Sequence, residues 1–161
     1  MKTLIVGLGN PILGDDGIGW RVAEEAQRDL NGATYEFGAS HQIDFDFLSL
    51  GGIQLMEHLI GYDRAIIVDA ITTGKDPIGT VTKFPLSQIK SIGQGHLSSP
   101  HDASLPEAIE MGKLMGAQLP DLVTIIAIEA QNVYDFSEEL SIPVEEAVPV
   151  AINEIKLLLK E

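Results

Sequence analysis

Residues Lys2 to Trp20 constrain the fold more than any other stretch. Thr3-Leu4-Ile5-Val6 and Leu8 make a short apolar, β-branched run that closes on glycine. Such a run reads as a strand buried on both faces, the kind found in parallel sheets. Gly7, Gly9, Asn10 and Pro11 then turn the chain sharply, and Asp15-Asp16-Gly17 leads into a helix. Ile18, Val22, Ala26 and Leu30 supply that helix's apolar stripe at four-residue spacing. A strand, tight turn and helix is the opening unit of an α/β fold. It sets two adjacent carboxylates beyond the carboxyl end of a strand, where such folds bind their ligands.

The rest of the chain repeats the alternation. Asn31-Gly32 is a helix stop, and Thr34 to Gln42 shows no clear period. Ile43 to Leu50 reads as a second strand, broken by Gly51-Gly52. Ile53, Met56, Leu59 and Ile60 mark a second helix, closed by Gly61. Ala65-Ile66-Ile67-Val68 is the strongest strand signal and is expected at the centre of the sheet, ending at Asp69. Thr80 to Phe84 is a shorter strand, and Gly93 to Pro100 a Gly/Ser-rich loop leading to His101-Asp102. Ser104 and Glu107 fit a capping box for a helix running through Met115. Leu122 to Ile128 is another buried strand. A last helix lies between Pro143 and Glu161, with Val148, Ala151, Ile152, Ile155, Leu158 and Leu159 on its core face; Pro149 either kinks it or opens it. There are no repeats or linkers, so residues 1–161 are expected to form a single three-layer α/β/α sandwich with a twisted, mostly parallel sheet of about five strands.

Composition narrows the function classes. The 161 residues carry no cysteine, which excludes disulfides, thiolate catalysis and cysteine metal sites. The net charge is −14, and the ten Lys and Arg residues are scattered singly from Lys2 to Lys160. A nucleic-acid partner would need clustered cations to displace counterions from phosphates, so none is expected. No apolar run approaches the roughly twenty residues of a membrane helix. The N-terminus lacks the sections of a signal peptide. A cytoplasmic, monomeric protein is the resulting expectation.

The chemistry-bearing residues are few. Gly7-Leu8-Gly9 begins a dinucleotide fingerprint, but its third glycine falls on Ile12 and Pro11 stands where a helix should start. Asp15 and Asp16 both suit a helix N-terminus, since carboxylates favour that end of the dipole. Two side by side suggest that one caps while the other is free to act. Asp69 ends the most apolar strand, where a carboxylate must be desolvated unless something pairs with it; a metal would serve, as would the backbone of Thr72 or Thr73. Of the four histidines, His101 is distinguished by the rigid Pro100 before it and the helix start after it. Two carboxylates and an imidazole suit nickel, zinc, manganese or iron alike. Serine hydrolysis has no support, for want of a Gly-x-Ser-x-Gly elbow.

Taken together, Gly7-Leu8-Gly9-Asn10 with Gly14-Asp15-Asp16-Gly17-Ile18-Gly19, Gly51-Gly52, Ile66-Ile67-Val68-Asp69-Ala70 and Ser99-Pro100-His101 resemble the endopeptidases that mature nickel–iron hydrogenases. The resemblance spans essentially the whole chain and implies a phosphorylase/hydrolase-like fold. It also implies an aspartic-type endopeptidase that cuts a C-terminal extension from the hydrogenase large-subunit precursor after nickel insertion. It implies a metal site at Asp16, Asp69 and His101, with Asp16 and Asp69 as catalytic carboxylates. Nickel, or another divalent metal in its place, arrives in the precursor, so that the nickel-loaded precursor is the expected partner. Ile128-Glu129-Ala130-Gln131 departs from the many relatives that carry proline after the glutamate.

Gly7-Leu8-Gly9-Asn10-Pro11 also resembles the opening of bacterial peptidyl-tRNA hydrolases. That pattern continues with a further glycine, a tyrosine and a histidine-asparagine pair. Here Ile12-Leu13-Gly14-Asp15-Asp16 follows, with no histidine before His41. An RNA-directed esterase is therefore a secondary reading, beside a non-catalytic chaperone that senses nickel in the precursor.

Overall fold

The computed structural model describes residues 1–31, 41–91 and 104–161. Strand β1 (Lys2–Leu8) is followed by a 3-10 turn (Gly14–Gly17), helix α1 (Ile18–Asn31), β2 (Gln42–Leu48), α2 (Gly52–His58), β3 (Arg64–Ile71) and β4 (Val81–Pro85). A second 3-10 turn (Leu86–Ser91), α3 (Leu105–Leu114), β5 (Leu122–Glu129) and α4 (Ile142–Lys160) complete the order. The Gly93 to Pro100 loop and His101 lie outside the described residues, as does the Gly32 stop.

The strands form one sheet in the order β2-β1-β3-β5-β4. β1 lies parallel to both β2 and β3, and β3 parallel to β5. Among the described strands, only the edge strand β4 runs antiparallel, along β5. Strand side chains alternate between faces, and two cores result. Leu4, Val6, Ala65, Ile67 and Ile125 pack with Leu55 and Leu59 near α2 and with Leu105 and Ile109 of α3. Ile5, Ile66, Val68 and Ile126 pack on the other side with Ile18, Val22 and Ala26 of α1 and Ala151 and Ile155 of α4. The architecture is the expected α/β/α sandwich. No helix among the described residues is long and apolar enough to cross a membrane.

Local chemistry accounts for most element ends. Ser104 and Glu107 do form a capping box, the Ser104 amide donating to Glu107 Oε2 at 3.1 Å. Arg64, buried at the start of β3, donates to the Leu158 carbonyl in the last turn of α4, where a cation suits the helix dipole. Pro149 neither ends nor starts α4. The helix continues through it, with the proline on the exposed side. A mid-helix proline costs about 3 kcal/mol. Burying Val148, Ala151, Ile152, Ile155, Leu158 and Leu159 at roughly 1.5 kcal/mol or more for each large side chain outweighs it.

Two sequence expectations need correction. Of the residues that mark the second helix, Leu59 is buried and Met56 packs against the core, whereas Ile53 and Ile60 are about half exposed and Leu55 takes their place inside. This helix is only seven residues long, too short for its stripe to define a face. Strand β3 does not stop at Asp69. It continues to Ile71, because β5 goes on pairing with it as far as Ile71 opposite Glu129.

Candidate functional site

The strand order reverses direction between β1 and β3. From β1 the chain passes outward to β2, while from β3 it passes to the other side of the sheet, to β4 and β5. Loops leaving two such neighbours go separate ways and open a crevice at the carboxyl edge, where open α/β sheets bind ligands. The β1–β3 pairing ends at Gly7 opposite Val68. Asp69 is the next residue along β3, and Asp16 lies in the turn after β1, which packs against β3. Both predicted carboxylates therefore lie on segments at the carboxyl edge of the sheet that flank this switch point.

The turn that carries Asp16 is closely built. Gly9 has a φ of 129°, a left-handed conformation suited to glycine, and a side chain there would run into the Asp16 carbonyl. Its amide donates to the Leu48 carbonyl at 2.9 Å. The Asn10 amide donates to Asp16 Oδ2 at 2.8 Å, and the Asp16 amide to the Leu13 carbonyl at 3.1 Å. Asp16 is thus held from both its side chain and its backbone, and is buried. Gly19 then brings the first turn of α1 onto the sheet. A side chain at Gly19 would collide with the carbonyls of Leu8 and Val68, the last residues before the crevice.

Asp15 has a different task. It accepts the Ser141 amide at 2.7 Å on Oδ1, and the Ser141 hydroxyl at 2.9 Å on Oδ2. The Asn132 amide also approaches Oδ2, at 3.4 Å. Ser141 is the N-cap residue of α4. The expectation that one carboxylate caps the first helix is therefore corrected for Asp15, which ties the β5–α4 loop down instead.

Asp69 is completely buried. By strand alternation it shares a face with Ile67 and Ile71, the face covered by α2 and α3. Helix α3 leads into β5, a strand parallel to β3, so α3 starts at the same carboxyl edge as Asp69. His101 lies outside the described residues, three positions before the Ser104 cap of that helix. Among the described residues, no three His, Asp or Glu side chains gather in an arrangement that would hold a metal ion. Asp16 and Asp69 supply two hard oxygen donors of the kind divalent metals take.

Sequence reasoning missed Glu129. It is buried at the end of β5 and accepts the Thr73 amide at 2.9 Å and the Gly74 amide at 2.8 Å on Oε1, with the Thr73 hydroxyl at 2.9 Å on Oε2. The Thr73 amide, suggested as a partner for Asp69, thus belongs to Glu129. Three hydrogen bonds to one buried carboxylate fix the path of the chain just after β3. The signal was present in sequence: an apolar strand run closed by a carboxylate, as at Asp69.

Comparison with known proteins agrees with this architecture. The HycI family model, described as hydrogenase maturation protease, matches residues 48–157. The hydrogenase expression/formation protein HupD of Rhizobium leguminosarum bv. viciae is 26% identical over 152 residues, covering 94% of this chain and 71% of the relative. Among solved structures, the hydrogenase maturating endopeptidase HybD from E. coli superposes with a TM-score of 0.77 at 21% identity, covering 99% of this chain and 93% of that one. The [NiFe] hydrogenase maturation protease HybD from Thermococcus kodakarensis superposes with a TM-score of 0.65 at 26% identity, covering 99% of each chain. With two thirds of its length matched by the family model, and a sheet of the same architecture as those proteases, this chain belongs to the hydrogenase maturation protease family.

Proposed function

We propose that the protein is an endopeptidase that removes the C-terminal extension of a nickel–iron hydrogenase large-subunit precursor after nickel has been inserted. What supports this reading is that Asp16 and Asp69 lie on the two segments that flank the switch point between β1 and β3. In this account Asp16, Asp69 and His101 recognise nickel carried by the precursor, and the metal positions the scissile peptide bond over the carboxyl edge of the sheet. Another divalent metal in the precursor would be read through the same donors.

Hydrolysis then needs a water molecule and a base. With no cysteine in the chain and no serine elbow, water is the nucleophile, and the base assigned to it is Asp16, whose orientation is set by the Asn10 amide. A water held by Asp16 gives up its proton as its oxygen bonds to the peptide carbonyl carbon. The carbon–nitrogen bond then breaks and the leaving amine takes the proton. Asp69, buried in β3, holds the second side of the crevice.

The test is incubation of the purified protein with nickel-loaded and nickel-free precursor. Cleavage of the loaded form alone, insensitivity to serine- and cysteine-directed reagents, and one solvent oxygen in the new C-terminus are the expected results. A covalent peptide–enzyme adduct in the mass spectrum would overturn the water mechanism. Binding of the loaded precursor without any cut would make the protein a nickel-sensing chaperone.

A further inference from the structure

We propose that the β5–α4 loop, residues 130–141, is the docking groove for the precursor's C-terminal extension, engaging a segment that carries lysine or arginine beside apolar side chains; this rests on the endopeptidase reading. The loop exposes Tyr134 and Phe136 at 86% each, and Ile142 just beyond it at 73%. Aromatic side chains so bare add nothing to the core, and such residues are the usual anchors of protein interfaces.

The loop is a rigid platform. The Gly14 amide donates to the Ser137 carbonyl at 2.7 Å, the Asp15 amide to the Asn132 carbonyl at 2.8 Å, and the Ser137 amide to the Ile12 carbonyl at 2.9 Å. With the Asp15 carboxylate on Ser141, this locks the loop to the turn that carries Asp16. A segment lying on Tyr134 and Phe136 is thereby held in fixed register with the proposed base.

A cleft of about 260 Å³ opens beside this platform, lined by Trp20, Arg21, Glu24, Glu138 and Leu140 among others. It is smaller than a typical ligand pocket and suits part of a peptide. Its lining sets Glu24 and Glu138 against Arg21, with Asp135 and Glu139 further along the loop, while Arg28 lies 3.8 Å from Glu24 and Arg21 4.0 Å from Glu145. A chain of net charge −14 with this local excess favours a cationic partner and speeds its encounter. The occupant is the extension because Gly14 and Gly17, of the turn that carries Asp16, also line this cleft, so that a peptide leaving the scissile bond at Asp16 meets it.

The experiment measures processing and binding of nickel-loaded precursor and of the mature-length subunit, using wild type, the double variant Tyr134→Ala/Phe136→Ala, and Glu138→Lys. Thermal melts should match wild type, since the changed side chains are exposed. The double variant should raise KM for the precursor about tenfold with kcat unchanged, and should bind the mature-length subunit as wild type does. Glu138→Lys should also raise KM, and more so at low salt. An unchanged KM in the double variant, or equal weakening of precursor and mature subunit, would overturn the proposal. So would loss of a self-associated form in sedimentation without a change in KM, which would assign the patch to a second copy of the chain. If wild type cuts no precursor, the endopeptidase reading itself fails, and this proposal with it.

Discussion

Asp15 and Ser141 stand 126 positions apart and are joined twice, the Ser141 amide donating to Oδ1 at 2.7 Å and its hydroxyl to Oδ2 at 2.9 Å. The pair couples the turn after β1 to the start of α4, the longest helix described, at 19 residues. Asp15→Ala would take the charged acceptor away from the part-buried Ser141 amide and hydroxyl. A destabilisation of about 2–3 kcal/mol is expected, lowering the melting temperature by roughly 4–12 °C for a chain of this size. A thermal melt checks it. A Tm within a degree of wild type would show that water replaces the carboxylate at no cost.

Asp16→Asn should behave in the opposite way. The asparagine side-chain oxygen can still accept the Asn10 amide, so the fold should survive with a melt close to wild type. Processing of nickel-loaded precursor should fall below detection, because an amide can neither take a proton from water nor carry the charge a metal prefers. Normal cleavage by this variant would reduce Asp16 to a turn-forming residue. His101→Ala, with the same readouts, tests the third proposed donor.

Glu129→Ala removes both acceptor oxygens, so the Thr73 and Gly74 amides and the Thr73 hydroxyl lose the carboxylate that accepts them. A cost of about 1–3 kcal/mol is expected. The specific readout is hydrogen exchange: the Thr73 and Gly74 amides should exchange faster, while those in the centre of β3 shift only with global stability. Unchanged protection at Thr73 and Gly74 would refute the role given to Glu129.

Lys83 on β4 meets Glu154 on α4 at 2.9 Å, and the hydrogen bond to Glu154 holds the lysine pKa above its ordinary value. Because the folded-state value is raised, the stabilisation is complete below the unfolded lysine pKa of about 10.4 and is lost as pH rises through the folded value. The pair is about a third exposed, so its contribution should not exceed about 1 kcal/mol. The stability difference between wild type and Lys83→Met, followed by urea unfolding, should be flat at neutral pH and shrink above about pH 10. A difference that grew with alkalinity would contradict the assignment.

What the chain alone determined lies in its short-range chemistry. The buried strands at Thr3–Leu8, Ala65–Val68 and Leu122–Ile128, the α1 stripe and the Ser104–Glu107 capping box all depend on neighbours within a few positions, so period and cap residues reveal them. The position of Asp16 after β1 and of Asp69 on β3 was also legible, from the apolar runs that precede them. Tertiary structure decided the rest. Sequence period says that a strand is buried but not which strand lies beside it, so the switch point between β1 and β3 and the extension of β3 past Asp69 came only with the sheet. The partners of Asp15 and Glu129 likewise lie 126 and about 56 positions away. No local rule can name a hydrogen-bond donor that far along the chain, because its distance is set by the packing of the layers and not by the residues next to it.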